Sequence, residues 1–323
     1  MIVLRQSSAN DLFADACRLV SRHGRPVNPR GLATREVLGV HLCLTNPRRR
    51  LVDVPPVRVL NPAFAVAEAV WILSGSDDPW IFDYNRVLRR YADGGRLRGA
   101  YGPRLRRWGG EIDQLDRVRR LLLQDPDSRQ AVVQLFDPGR DWVGHRDVPC
   151  TVGYRFFIRS GRLHMHTTMR SQDLWLGFPY DVFTATVLHE LLAGWLGVEP
   201  GEYHHHVDSL HLYEDDRPHA IQLPAQPAPS PEMARFAVGW SDLDRMLAGV
   251  LAGDLEPHIA PVWSELAQVL ASYRAWRAGD RAGARATVAG PGGGMLFGAL
   301  ERWYDHLTAR ADDHESPKAG SRS

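Results

Sequence analysis

A thiol, a guanidinium and two carboxylates offer this sequence its most specific chemistry. Cys150 sits in DVPCTVGY, after a proline and directly before an alternating run, where rigid backbone would hold a nucleophile in place. Residues 153–170, GYRFFIRSGRLHMHTTMR, read as two strands joined by a Ser-Gly turn, so a single hairpin brings Arg170 toward Cys150. A guanidinium beside a thiol lowers its pKa toward the reactive thiolate. Core packing is the competing reading of a lone Cys near a strand. Asp181 ends RSQDLWLGFPYD, beside Leu176, Gly177, Phe178, Pro179 and Tyr180. A carboxylate against that much apolar surface must be paired, protonated or in use. Capping a helix that starts at Val182 is the other reading of it. Glu68 is the single acid of NPAFAVAEAVWILSG, where burial would raise its pKa and suit it to relaying protons.

The elements that position these groups follow from periodicity and turn signals. Residues 10–23 read as a helix, 36–45 and 50–59 as a strand pair split by NPRRR, and 61–75 as a buried helix opened by Asn-Pro and closed by Gly75. A helix over 111–124 ends at DPDS, RQAVVQLF (129–136) is a strand, and DVFTATVLHELLAGWLG (181–197) is a strong amphipathic helix. Five prolines in 217–232 mark an extended connector, and helical periodicity returns over 241–285. The expected organisation is one α/β domain over 1–310, whose 241–310 part is helical, followed by a disordered polar tail, ADDHESPKAGSRS, from 311.

Composition narrows the function classes. Apolar residues make up 44% and charged residues 24%, and 39 basic side chains against 38 acidic ones leave no global field for nucleic acid. The start, MIVLRQSSAN, holds a four-residue apolar run, and no later stretch approaches a membrane span, so the expectation is a cytoplasmic protein with no membrane or DNA partner. Three widely spaced cysteines suggest neither a disulfide framework nor a paired-thiolate zinc site. Cys17 and Cys43 lie in apolar patterns as small core residues. His204, His205 and His206, with His211 near, raise the question of a metal, but no unassigned carboxylate or Cys stands at ligand spacing, and none is expected.

PC (149–150), RSQDLWLGFPYD (170–181) and DSLHLY (208–213) occur in the order and spacing of the active-site motifs of the thymidylate synthase family, which this chain resembles over roughly 61–216 and more weakly over 25–60. EAVWILSG (68–75), AYG (100–102) and DPDSR (125–129) extend the likeness. It implies a homodimeric α/β (α+β) fold, a mixed sheet with packed helices, here carrying a helical C-terminal appendage. It also implies addition of a Cys thiolate to pyrimidine C6 of a nucleotide, after which C5 takes the one-carbon unit of the co-substrate 5,10-methylenetetrahydrofolate. By the same resemblance Cys150 is the nucleophile, Glu68 relays protons, and Tyr101 assists removal of the C5 proton. Arg170 and Ser171 hold the phosphate, Arg129 reaches across to the other subunit's phosphate, and His211 and Tyr213 bond the ribose. Asp173, Leu176, Gly177 and Tyr180 fall where the family contacts folate. A second Arg often follows the one at 129; this chain has Gln130, so either phosphate binding is weaker or a different cation substitutes, for which Arg30 in NPRGLATR is the candidate.

Departures from the family carry the specificity argument. Synthases have Asn where this chain has Asp181. An amide accepts from uracil N3–H and donates to O4, whereas cytosine reverses both. A protonated carboxyl matches cytosine, as does a carboxylate facing protonated N3, and an ionised Asp repels uracil O4. The family's dCMP and CMP hydroxymethylases share this Asp. Leu88 stands where synthases place a tryptophan over the last intermediate, Tyr91 replaces another, and the C-terminal helices replace a short apolar lid. This altered shield points to capture of the intermediate by water. Thr151 and Met169 also depart, with no step assigned to them. The expected function is cytidylate 5-hydroxymethylation, ribo or deoxy. The alternatives are a C5-methyltransferase on a uracil nucleotide and an inactive member that binds nucleotides or RNA.

Overall fold

The structure, a computed structural model, describes residues 2–255, 261–289 and 294–315. From the N-terminus the chain forms β1 (Ile2–Gln6), α1 (Ala9–His23), β2 (Arg25–Val27) and β3 (Thr34–Leu44). Then come α2 (Pro62–Leu73), α3 (Tyr101–Arg106), α4 (Gln114–Gln124), β4 (Val132–Gln134) and α5 (Pro138–Asp141). The centre holds β5 (Thr151–Arg159), β6 (Arg162–Met169), β7 (Gln172–Asp173), α6 (Phe178–Trp195), β8 (Glu199–Tyr213) and α7 (Arg217–Ile221). Last are α8 (Leu243–Ala252), α9 (Pro261–Arg277), α10 (Arg281–Val288) and α11 (Met295–Glu315). The sheet runs β1-β3-β8-β6-β5-β4, with β2 beside β3 and β7 beside β8. It is mixed: β1–β3 and β6–β8 are parallel, whereas β3–β8, β5–β6 and β4–β5 are antiparallel.

Local chemistry explains several boundaries. Pro62 opens α2 at a position whose N–H has no helical partner, and the Asn61 side chain accepts from Phe64 N at 3.2 Å. Ser160 and Gly161, at φ 52° and 70°, turn β5 into β6 with the left-handed pair that matches strand twist. The helix predicted at 181–197 starts earlier, at Phe178, and is buried around its whole circumference rather than amphipathic, because it lies between the sheet and α2.

Residues 50–59 form no strand. Pro55 and Pro56 have no N–H to give to a ladder, and an isolated bridge between Val54 and Arg58 is all that pairs there. The long partner of β3 is β8, whose His-rich run hides strand alternation in the sequence. Of the extended connector expected over 217–232, Arg217–Ile221 instead form α7, and 222–232 carry no helix or strand. The predicted tail departs at its start, since 311–315 continue α11; residues 316–323 lie outside the described part. Among the described residues no helix is long and apolar enough to cross a membrane.

One irregularity shapes the site. β3 buries Val37 and next Val40, β8 buries Val207 and next Leu210, and the β6–β7 strand buries Met169 and next Gln172. Alternation therefore slips by one in three neighbouring strands at the same level, opposite Gly39, at Asp208–Ser209 and at Arg170–Ser171. Gly39, at φ 69°, adopts the left-handed backbone that glycine takes without strain. Beyond the slip, Ser171, Asp173, Ser209, His211 and Tyr213 line one cleft.

Candidate active site

The cleft has a volume of about 710 Å³ and is also lined by Cys150, Arg170 and Arg30. Cys150 enters it from the residue before β5, and Arg170 from the residue after β6. The Arg170 side chain donates to the carbonyls of Pro149 at 2.9 Å and Val148 at 3.0 Å, and its Nη2 lies 3.9 Å from Cys150 Sγ. It thereby ties down the loop that carries the thiol. Arg30 stands in the left-handed region at φ 54°, an uncommon backbone for a side chain of this size.

The thiolate expected from the Cys150–Arg170 pairing is not what the ligand-free site holds. Burial pushes the Cys150 thiol up to about 11, and the opposing pull of Arg170 and Arg30 does not offset it. The group is a thiol at neutral pH, so its proton must leave as it reacts.

Glu68, Tyr101 and Asp181 do not line the cleft, but Asp181 is in electrostatic reach of Cys150, Glu68 and Tyr101. The Tyr101 hydroxyl accepts from Thr151 N at 3.1 Å. Burial, then the neighbouring Asp181 charge, raises Glu68 to about 8; burial raises Asp181 to about 6, against a Gln172 hydrogen bond that lowers it. At neutral pH Glu68 keeps its proton while Asp181 is ionised. Two nearby carboxyls with separated pKa values can divide acid and base work. Glu68 also costs stability as pH rises, because the unfolded chain releases its proton near 4.5 and the folded chain near 8. Glu68→Gln should therefore gain stability relative to the parent between pH 5 and 8.5, on the order of 3 kcal/mol by thermal or denaturant unfolding. A difference that does not change with pH would contradict the raised pKa.

Asp181 is not a helix cap. Gly177 precedes α6, and Asp181 lies in its first turn, its N–H bonded to Gly177 O at 3.0 Å. Its Oδ2 accepts from Gln172 Nε2 at 2.8 Å. A Cβ at Gly177 would stand 2.9 Å from that Nε2 and 3.3 Å from that Oδ2, so glycine leaves room for the contact. Asp173 Oδ1 accepts from the N–H groups of Trp175 at 2.8 Å and Leu176 at 3.0 Å, which folds the LWLG loop, and burial raises its pKa to about 6. Tyr180 packs edge-on against Phe64 at 4.7 Å.

Other expected residues stand elsewhere. Arg129 is exposed and not in the cleft wall, and Leu176 is 54% exposed outside it. Leu88 packs half-buried against the core, and Tyr91 instead faces the cleft. Tyr91 shares the lining with Phe136 and Trp142, whose rings stand edge to face at 6.5 Å, and such planar side chains suit a flat heterocycle. No motif or spacing marks Trp142, Arg146 or Asp147, which arrive through the loop before Cys150. The fold brings Cys43 and Glu202 to His204, their donor atoms within 4.8 Å of one another, so a Cys and a carboxylate do stand at ligand distance from the His run where sequence spacing offered none. Arg5 already fills the place of a cation there, bound through both nitrogens to Glu202 and 3.2 Å from Cys43 Sγ.

The family model described as thymidylate synthase matches residues 11–242. The chain belongs to the thymidylate synthase family. A deoxyuridylate hydroxymethyltransferase of Bacillus phage SP01 is 36% identical over 230 residues, 67% of this chain. The chain spans 60% of that relative's length. A putative thymidylate synthase of Methanosarcina acetivorans is 28% identical over 215 residues, 66% of this chain and 90% of the relative. Within this thymidylate synthase fold, the cleft gathers Cys150, Arg170, Ser171, Asp173, His211, Tyr213 and Arg30, and leaves Arg129, Leu88 and Leu176 off its wall.

Proposed function

We propose that this chain is a cytidylate 5-hydroxymethylase, acting as a homodimer in the cytoplasm on CMP or dCMP with 5,10-methylenetetrahydrofolate and water. The observation that carries the base assignment is the hydrogen bond by which Gln172 Nε2 holds Asp181 Oδ2 as an acceptor at 2.8 Å, on a carboxyl whose pKa burial raises to about 6. Two acceptors side by side match cytosine protonated at N3, which offers N3–H and N4–H, and repel O4 of uracil. Arg170 and Arg30, with Ser171, bind the phosphate, and Arg129 completes that site from the other subunit. His211 and Tyr213 hold the ribose.

Cys150 Sγ bonds C6 as its proton passes to water in the cleft, and the proton kept at N3 by Asp181 meets the charge that moves onto the ring, leaving C5 nucleophilic. Methylenetetrahydrofolate supplies the one-carbon unit that C5 takes up, beside Asp173, Gly177 and Tyr180. The C5 proton passes by way of Tyr101 and Glu68, acting as relays, to water, and the bond between the one-carbon unit and the folate nitrogen breaks, so that tetrahydrofolate departs and an exocyclic methylene stays on the nucleotide. Water adds to that methylene and Cys150 departs, restoring the ring. Leu88 places no aromatic ring over the methylene, and water enters through the open cleft lined by Tyr91, Phe136 and Trp142. The phage relative's name favours a second reading, hydroxymethyl transfer to a uracil nucleotide.

Tritium release tests the proposal. C5-tritiated CMP or dCMP should lose its label only when methylenetetrahydrofolate is present, with no dihydrofolate absorbance. Dihydrofolate formation would assign a methyltransferase, and retained label on every pyrimidine nucleotide would leave a binding protein.

A further inference from the structure

Behind Asp181 a chain of buried polar groups runs into the sheet. Gln172 Nε2 donates to Asp181 Oδ2 at 2.8 Å and to the carbonyl of Asp173 at 3.1 Å. Gln172 Oε1 lies 2.8 Å from His205 Nε2, and His205 Nδ1 lies 2.7 Å from the Tyr203 hydroxyl. Thr167 Oγ1 stands 3.0 Å from that hydroxyl. Gln172 is 2% exposed, and His205 and Tyr203 are fully buried.

The directions at the Gln172 end of this chain are forced. A backbone carbonyl only accepts, so the NH₂ end of Gln172 must face Asp173 O and, with it, Asp181 Oδ2. Oε1 then faces His205, whose Nε2 must carry a proton. Burial holds the His205 ring neutral, its pKa down to about 3, which leaves Nδ1 an acceptor 2.7 Å from the Tyr203 hydroxyl, a group that also bonds Thr167 Oγ1. Phe178 packs edge-on against the His205 ring at 5.7 Å and helps to fix its plane.

We infer that Gln172, locked by His205 and Tyr203, fixes the hydrogen-bond polarity of residue 181 and thereby sharpens the choice between cytosine and uracil. A free carboxyl group has two equivalent oxygens, and once protonated it can turn either a donor or an acceptor to a base. Such a group accommodates both pyrimidines. The Gln172 amide removes the equivalence: Oδ2 stays an acceptor, and the carboxylate keeps its charge. Gln172 is a positioning residue here, acting on the nucleotide through Asp181. The inference rests on the proposal that Asp181 reads the base.

The test is the ratio of dissociation constants for CMP and UMP, measured by calorimetry on the full-length protein, the Gln172→Leu variant and the Gln172→Glu variant. Gln172→Glu keeps the size and an acceptor for His205, so it covers the case in which Gln172→Leu does not fold. Both variants should lose about tenfold in discrimination, chiefly by gaining affinity for the disfavoured base. In an Asp181→Asn background, Gln172→Leu should likewise erode whichever preference the asparagine creates, because its amide is then free to flip. A role confined to folding weakens both nucleotides alike, and an unchanged ratio in the folded variants overturns the inference. If Asp181→Asn leaves the CMP-to-UMP ratio unmoved, base reading by residue 181 fails and this inference fails with it. If Asp181→Asn moves the ratio and the Gln172 variants do not, the Gln172 assignment alone is wrong.

Discussion

Replacing Cys150 by alanine should abolish product formation and C5 hydrogen exchange, by on the order of a thousandfold or more, while nucleotide binding stays measurable. C5 becomes nucleophilic only after covalent addition at C6, so no other side chain of the cleft can substitute. Binding survives because Arg170 is anchored to the carbonyls of Val148 and Pro149 rather than to the sulfur. Tritium release from C5 by the variant would refute the nucleophile assignment. The same variant tests the shared phosphate site. Arg129 is exposed and off the cleft wall of its own chain, as a residue serving another subunit would be. Mixing inactive Cys150→Ala subunits with inactive Arg129→Ala subunits should restore part of the activity, and no restoration after subunit exchange would argue against a site completed in trans.

Asp181→Asn should move preference from cytosine to uracil nucleotides, changing the ratio of specificity constants by about tenfold or more. The parent offers two acceptors at neutral pH; the variant keeps one, which Gln172 Nε2 still holds, and places an N–H₂ donor at the other. That pair matches N3–H and O4 of uracil and leaves cytosine N4–H₂ facing a donor. Reversing a buried hydrogen bond costs on the order of 1–3 kcal/mol, which sets the expected size. The uracil product should still be hydroxymethylated, since residue 181 does not control entry of water. A variant that keeps its cytosine preference would remove Asp181 from base recognition.

Much of this site was legible because its signals are local. The Asn61-Pro62 start and the apolar run around Glu68 announce a buried helix with one misplaced acid, and Ser160-Gly161 announces the hairpin that brings Cys150 and Arg170 together. Three features were hidden for physical reasons. β8 reads as a polar histidine run because His204 and His206 occupy one face and His205 the buried one, so apolar alternation is lost. Cys150 was expected to be a thiolate from its cationic neighbour, but the competing desolvation depends on how deeply the residue is buried, which spacing does not record. Gln172 lies between Ser171 and Asp173 with nothing in its type to mark it. Its importance comes from the slip in alternation that buries it against His205, a consequence of three strands together. Of the two shield positions read from the sequence, Tyr91 faces the cleft and Leu88 does not; both lie on a short 3₁₀ turn over Arg86–Tyr91.

The most direct test of the account is mass spectrometry of the nucleotide after incubation with methylenetetrahydrofolate and, in turn, CMP, dCMP, UMP and dUMP. The account predicts gain of the elements CH₂O on a cytosine nucleotide, little or no change in the uracil nucleotides, and tetrahydrofolate as the released folate. Gain of CH₂ accompanied by dihydrofolate, or hydroxymethylation confined to UMP or dUMP, would contradict it.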